Sequence, residues 1–333
     1  MVLADLRDKT VTQPKIILLR KRTMSAMTQN TPFMFRVLTG LFEPSAIEQL
    51  PDGRFLVVED EKQHPFSLVT ISLDGVVTSK ALRPGFFQSF SDFWELDDLE
   101  GLTRDQAGNF YALTSHSRDG DGDKKEARDR LVRFRIEGSD VIERKVSSGL
   151  KRALAVTHPV LATAAEIQDV KVGGGLNIEA LQISPDQKRL LIGFRSPLQG
   201  NRAIIASVEN PAAIFDAGEP PVVSPTLVTL DLGGNGIRGM AYIAALGGYL
   251  IISGPASREQ VHFGLWFWRG GPETSVQRVT VPGLDGFGHA EGVCSAQMDG
   301  KQKIIIVCDD GSRKDKRDAR YLLLDPTQLG MAS

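Results

Sequence analysis

The chain of 333 residues has two cysteines, a formal net charge of only −2, and no long apolar run. Each shortage excludes something. Cys294 and Cys308 fall in neighbouring apolar runs and read as two buried thiols more readily than as a cross-strand disulfide. Near-neutral charge gives no bulk electrostatic reason to expect nucleic acid or an anionic membrane as partner. With no stretch of about 18 apolar residues, a transmembrane helix is not expected. The longest apolar run near the start, Ile16–Leu19, is too short for a secretory h-region and precedes Arg20-Lys21-Arg22, so the expected location is cytoplasmic.

What remains is ordinary for a globular protein: 41% hydrophobic and 24% charged residues. Length alone allows one large all-β domain or two smaller ones. Residues 1–30 are polar, mixed in charge and without periodicity, and read as a mobile extension. Residues 31–333 read as one domain built on a repeat.

That repeat begins five times: Ser45-Ala46-Ile47, Glu100-Gly101-Leu102, Glu179-Ala180-Leu181, Arg238-Gly239-Met240 and Glu291-Gly292-Val293. Each triplet has a mostly charged residue, then a small one, then a branched or long apolar one. An apolar run follows every time: Arg54–Val58, Asn109–Leu113, Arg189–Phe194, Tyr249–Ser253 and Lys303–Cys308. Turn signals such as Pro51-Asp52-Gly53 and Asp74-Gly75 separate the runs. The first four units each hold four strand-like segments. In the third these are Ile178–Ser184, Arg189–Phe194, Ala203–Val208 and Thr226–Leu232. The fifth unit has three, and Phe33–Leu38 from the other end of the chain can supply the fourth and close a ring. Successive first positions are 55, 79, 59 and 53 residues apart. The long interval is explained by 148–176, whose Leu150, Leu154, Leu161, Ala165 and Ile167 suggest one or two short helices.

Repeats of four short strands at this period predict an all-β fold, a five-bladed β-propeller closed by an N-terminal strand with a short helical insertion. The small second column leaves room for innermost strands to crowd an axis. A β-sandwich is the alternative. Trp266, Phe267 and Trp268 read as interblade core.

A propeller brings the starts of the innermost strands and the ends of the second strands to one face. Ser45, Glu100, Glu179, Arg238 and Glu291 would meet Glu59, Asp60, Ser115, His116, Arg195, Asp309 and Asp310 there, with Asp98 and Asn177 close by in sequence. Three glutamates around one axis need compensation: pairing with Arg195 and Arg238, a bound cation, or a raised pKa. The first makes a structural ionic ring. The second makes a hard-metal site, calcium or magnesium, for which Asp98, Glu100, Glu179, Glu291, Asp309 and Asp310 are the candidate ligands. The third gives acid and base groups, with Glu100, Glu179, Glu291 and His116 as candidates. Arg195, Arg238, Ser115 and Asn177 are candidate ligand-binding residues, arginine for its two-pronged donor geometry. The basic loops Arg313–Arg317 and Lys124-Lys125 read as solvated surface.

Other motif matches are weak. Gly234–Gly239 fits GxGxxG, but Gly247-Gly248 and a further strand follow too soon for a dinucleotide-binding helix, so no nucleotide cofactor is expected. Asp119, Asp121 and Asp123 imitate the opening of an EF-hand, yet Lys124 and Arg130 replace its glycine and closing glutamate; the segment reads as an exposed loop. Ser115-His116 lacks the GxSxG context of a serine hydrolase.

Several segments also resemble a family of uncharacterised bacterial propeller proteins known only as a domain of unknown function, and more distantly the esterase-like phytase propellers. They are Asp98-Leu99-Glu100-Gly101-Leu102, Thr114-Ser115-His116-Ser117, Leu176-Asn177-Ile178-Glu179, Gly193-Phe194-Arg195-Ser196-Pro197, Gly236-Ile237-Arg238-Gly239 and Asp309-Asp310-Gly311. The resemblance spans roughly residues 32–326. It implies a propeller and, through the distant relatives, metal-assisted hydrolysis of esters or phosphoesters. The expected function is therefore an axial funnel that binds a small polar or anionic ligand with a divalent cation. The alternative is a protein-interaction scaffold whose ionic ring is structural.

Overall fold

The computed structural model describes residues 34–60, 65–84, 91–169, 174–257, 262–271 and 275–331. The extension expected over residues 1–30 lies outside them. Five antiparallel sheets follow one another along the chain as the blades of a propeller. Blade 1 runs through Pro44–Gln49, Phe55–Glu59, Phe66–Ile71 and Val77–Ala81. Blade 2 uses Leu99–Arg104, Phe110–Thr114, Leu131–Glu137 and Asp140–Ser147. Blade 3 uses Asn177–Ile183, Leu190–Ser196, Ala203–Val208 and Val228–Leu230. Blade 4 uses Gly236–Ile243, Gly248–Gly254, Gly264–Trp268 and Val276–Thr280. Blade 5 takes Ala290–Met298, Lys301–Cys308 and Ala319–Leu324, and Arg36–Leu38 pairs antiparallel with the last of these. The N-terminal strand thus closes the ring, so the first and last blades are sewn together by chain connectivity as well as by packing.

Five apolar clusters fill the five seams between neighbouring blades. The third column of the repeat serves one seam each: Ile47, Leu102, Leu181, Met240 and Val293 fall in five different clusters. Each packs towards the preceding blade, because side chains alternate across a strand. The small second column has a steric cause. A Cβ on Gly101 would stand 2.7 Å from the Leu181 Cβ of the next blade, and one on Gly292 would stand 2.9 Å from the Ala46 Cα. Phe267 and Trp268 face opposite seams, as strand alternation requires, and Trp266 Nε1 donates to Ser253 Oγ at 2.8 Å. Both cysteines are free and buried; Cys294 lies opposite Ile305 and Cys308 opposite Ala290.

At the far end of the innermost strands, polar side chains bridge the blades. Gln49 accepts from Gln297 N at 2.7 Å and donates to the same residue's carbonyl at 3.0 Å, copying a strand pairing across the closing seam. Arg104 Nε donates to Gln49 O at 3.1 Å, and Thr103 Oγ1 accepts from Ile183 N at 3.1 Å.

The insertion in blades 2 and 3 forms two helices, Leu150–Thr157 and Pro159–Glu166, with Pro159 at the first turn of the second where a missing N–H costs nothing. Three details differ from expectation. The outer strand of blade 3 covers only Val228–Leu230, because residues before it leave the sheet. A third helix, Pro211–Asp216, buries Ile214 and Phe215 against blades 2 and 3. Gly330–Met331 adds a fifth strand to the edge of blade 4. Among the described residues, no helix is long and apolar enough to cross a membrane.

Candidate functional site: a divided axial funnel

Each innermost strand breaks register at the same position. Ala46 follows Pro44 in the pairing scheme, Gly101 follows Leu99, Ala180 follows Ile178, Gly239 follows Ile237, and Gly292 follows Ala290. The residue skipped is Ser45, Glu100, Glu179, Arg238 or Glu291. A bulge adds one residue to one strand and re-aims its side chain. All five bulge residues line one axial funnel of about 730 Å³. Beneath it the small second column and the apolar third column close the axis, leaving a void of about 10 Å³, scarcely a water molecule's room. The funnel is blind.

Among the described residues, no apolar or aromatic side chain lines it. Ten carboxylates and four guanidinium groups do, with two serines, Asn177, Gln168 and two glycines.

The charges are divided between two sides. On the side of blades 3 to 5, Arg238 is the hub. Its guanidinium lies 2.7 Å from Glu179 through Nε, donates to Glu179 Oε1 at 3.1 Å and pairs with Glu291 through Nη2. Arg195 Nη1 donates to the same Glu179 oxygen at 3.0 Å, and its Nε donates to Pro255 O at 3.0 Å. Asn177 Nδ2 adds a further bond to that oxygen at 2.9 Å. Burial pushes the Arg238 pKa below its ordinary value, and Glu179 opposes the shift. Glu179 and Glu291, 3% and 5% exposed, are therefore neutralised by protein.

On the side of blades 1 and 2, Asp60, Asp98 and Glu100 each bring one carboxylate oxygen to within 4.8 Å of the others. Asp98 holds a left-handed backbone (φ +64°), which aspartate tolerates better than most residues. Its Oδ2 accepts from Ser115 Oγ, from Ser117 Oγ at 3.2 Å and from Arg128 Nη1 at 2.9 Å. Arg128 is shared with Asp97 through Nε at 3.0 Å. Glu100 has no ion pair among the described residues. Burial, then Glu179, Asp98 and Asp60, push its carboxyl well above the ordinary range, with Arg238 opposing. Asp60 keeps a water-accessible edge. Even so, the protein packed around it and the charge and hydrogen bond of Asp98 raise its pKa to about 8. Burial also raises Asp309 on the far wall, against Arg238 and His289.

The structure thus brings together Asp98, Glu100, Asn177, Glu179, Arg195, Arg238, Glu291 and Asp309 at the funnel surface. It leaves four of the residues expected there off that surface. Ser115 is fully buried behind Asp98, where it holds the carboxylate. His116 is fully buried: its Nδ1 lies 2.7 Å from Thr114 O and its Nε2 3.3 Å from Asp129, and burial lowers its pKa. Asp310 pairs with Arg320. Glu59 also turns inward, accepting from Phe42 N and Ser67 Oγ at 3.0 and 3.1 Å.

The segment expected to be an exposed loop is part of the site. Asp119 to Gly122 line the funnel mouth with Gln168 and Asp169 from the end of the helical insertion. Asp119 Oδ1 accepts from Asp121 N and Asp123 N, while Oδ2 pairs with Lys125 at 3.1 Å, so its oxygens serve the loop itself. The basic run stays outside the funnel: Arg313 covers the Phe42 ring at 4.3 Å and Arg317 Nε donates to Asp310 O at 3.0 Å. Glu43, Arg118 and Arg128 were not anticipated as lining residues. Glu43 had a signal, since it stands two residues before a bulge as Asp98 does. Arg128 sits in a long connection with no local cue.

Fold and site together define a five-bladed propeller with a blind, charge-divided axial funnel. The sequence pattern of the family described as "protein of unknown function (DUF3616)" matches residues 143–325, more than half of the chain, and the chain belongs to that family. No curated protein matches it. Among solved structures, it is similar to a protein assigned as a glucose dehydrogenase-type oxidoreductase from Thermus thermophilus, at 16% identity and a TM-score of 0.44, covering 88% of this chain and 100% of that one. It is also similar to the PQQ-bound aldose sugar dehydrogenase of Streptomyces coelicolor, at 14% identity and a TM-score of 0.40, covering 88% and 97%. A gluconolactonase from Xanthomonas campestris follows at 11% identity and a TM-score of 0.39, covering 88% and 84%. Likeness of this size carries no argument about chemistry.

Proposed function

We propose that this protein binds a divalent cation, calcium or magnesium, on the blade 1 and 2 side of the funnel and, through it, a small polar or anionic ligand. The observation that supports this is the division of charge. Arg238 satisfies Glu179 and Glu291, whereas Asp60, Asp98 and Glu100 converge within 4.8 Å and, among the described residues, Arg128 is the one cation that forms an ion pair with them. Carboxylates that close repel one another unless protonated or bridged, and hard cations bridge them. Arg195, with 21% of its side chain exposed, offers the anion of a ligand a guanidinium already oriented by Glu179 and Pro255.

The reaction class we assign to this arrangement is hydrolysis of a small ester or phosphoester. A cation in such a site polarises the scissile group and lowers the pKa of a bound water. The distant resemblance to esterase-like phytase propellers points the same way. A pure interaction scaffold is less well supported, because among the described residues of the insertion Val156 is the one exposed large hydrophobic, too little for an apolar docking patch.

Thermal unfolding with calcium, magnesium, manganese or zinc against a chelator control tests the proposal. A cation at 100 times its Kd adds about 2.7 kcal/mol. At roughly 2 °C per kcal/mol for a domain of this size, the midpoint should rise about 5 °C. Glu100→Gln should abolish the shift without lowering the chelated baseline, since it removes repulsion. No shift with any cation overturns the proposal.

A further inference from the structure

We infer that Asn177 Oδ1 is a fourth protein ligand to that cation, completing an all-oxygen, hard-cation site whose open positions face the funnel. This rests on the cation proposed above. Asn177 lines the funnel and is only 9% exposed. Its amide is oriented by its own bonding: the group that donates to Glu179 Oε1 at 2.9 Å has to be Nδ2, because a carboxylate oxygen cannot donate. Oδ1 is then buried with no hydrogen-bond partner among the described residues. Buried amide oxygens rarely go without one, and in a funnel-lining residue the partner comes from water, a ligand or a cation.

Its place in the fold points to the cation. Asn177 stands two residues before the bulge of blade 3, as Asp98 stands two residues before that of blade 2. Ile178 N donates to Ser115 O at 2.9 Å, and Ser115 N donates to Asp98 O at 2.8 Å, so a two-bond backbone bridge joins the positions across the seam.

Three carboxylates and one amide oxygen make a donor set for a hard cation. Among the described residues no imidazole or thiol joins them, and such an oxygen set suits a hard cation better than zinc. Four protein donors fall short of the roughly six to eight that calcium takes, so the remaining positions are filled by water or by oxygens of the ligand. With no apolar side chain among the described residues of the funnel wall, an oxygen-rich, compact ligand is the chemistry that fits.

Calcium titration by calorimetry on the full chain tests this with Asn177→Ala and Asn177→Asp, each checked for a folded baseline. Asn177→Ala should weaken binding at least about tenfold. Asn177→Asp keeps an oxygen at the site but loses the N–H given to Glu179, and should bind as tightly as the wild type or tighter. Wild-type affinity in Asn177→Ala overturns the inference. So does equal weakening in both variants, which would mean that Asn177 acts only by orienting Glu179. If Asn177→Ala does not fold, Asn177→Asp decides alone, and weakened binding overturns the inference. Absence of calcium binding in the wild type is a different result, since it removes the cation proposal itself.

Discussion

Arg238→Met separates the structural half of the funnel from its chemical half. Arg238 is 8% exposed and stands between Glu179 of blade 3 and Glu291 of blade 5, pairing with both. Methionine roughly preserves the stem that packs there and removes only the charge. Glu179 keeps Arg195 and Asn177, so the loss falls mainly on Glu291, whose one ion pair among the described residues is with Arg238. Removing one partner from a buried pair typically costs about 3–5 kcal/mol, because the remaining charge is stranded. The retained partners of Glu179 place the expectation near the lower limit, about 3 kcal/mol. Urea unfolding by linear extrapolation measures it directly. Adding Glu291→Gln should recover about half of the loss, since a neutral amide no longer needs the guanidinium, and the double-mutant cycle should give a coupling of about 2 kcal/mol. A single-variant cost below about 1 kcal/mol, or additive effects of the two changes, would refute the hub role of Arg238.

Two further outcomes follow from the same geometry. Asp60 and Glu100 hold protons more tightly folded than unfolded, so between about pH 4 and pH 8 the folded state binds more protons. The stability of the cation-free protein should therefore fall as pH rises through that window, and saturating calcium should flatten the trend; thermal unfolding across pH measures both. Gly239→Ala would drive a Cβ into the backbone carbonyl of Glu291, which cannot move aside, so urea unfolding should show a loss at or above the ~1–3 kcal/mol usual for overpacking. Gly286→Ala, with open space around it, should change stability by no more than about 0.5 kcal/mol.

The blades were legible because one steric requirement recurs at every turn of the ring. Gly101, Gly239 and Gly292 are small where the next blade's backbone or inner side chain would meet a Cβ, and Leu102, Met240 and Val293 each fill a seam. The closing strand was legible by subtraction, since the fifth unit lacked an outer strand that Arg36–Leu38 supplies. Elements away from the axis carried weaker marks. Val228–Leu230 has one buried residue in three, and Gly330–Met331 none, so neither shows the alternation that betrays a strand. Pro211–Asp216 is one and a half turns long, too short for a 3.6-residue period to declare itself.

The site was legible as a set of residues but not as a division of labour, and the difference lies in ring order. Glu100, Glu179 and Glu291 look equivalent in a column. Around the axis they are not, because the order runs Ser45, Glu100, Glu179, Arg238, Glu291. A single arginine in such a ring reaches the two residues beside it, and those are Glu179 and Glu291. Glu100 stands between a serine and a glutamate whose charge is already taken. The flanking columns deepen the asymmetry. Two residues before the bulges stand Glu43, Asp98, Asn177, Gly236 and His289, and on the second strands, one residue past the partner of the residue before each bulge, stand Asp60, Ser115, Arg195, Gly254 and Asp309. Glu43, Asp60, Asp98 and Glu100 therefore all fall on blades 1 and 2, while Arg195 and Arg238 both fall on blades 3 and 4. Once the chain closes with five blades, the order of the repeats sets the side of the funnel on which Asp60, Asp98 and Glu100 gather, and it is to that side that we assign the cation.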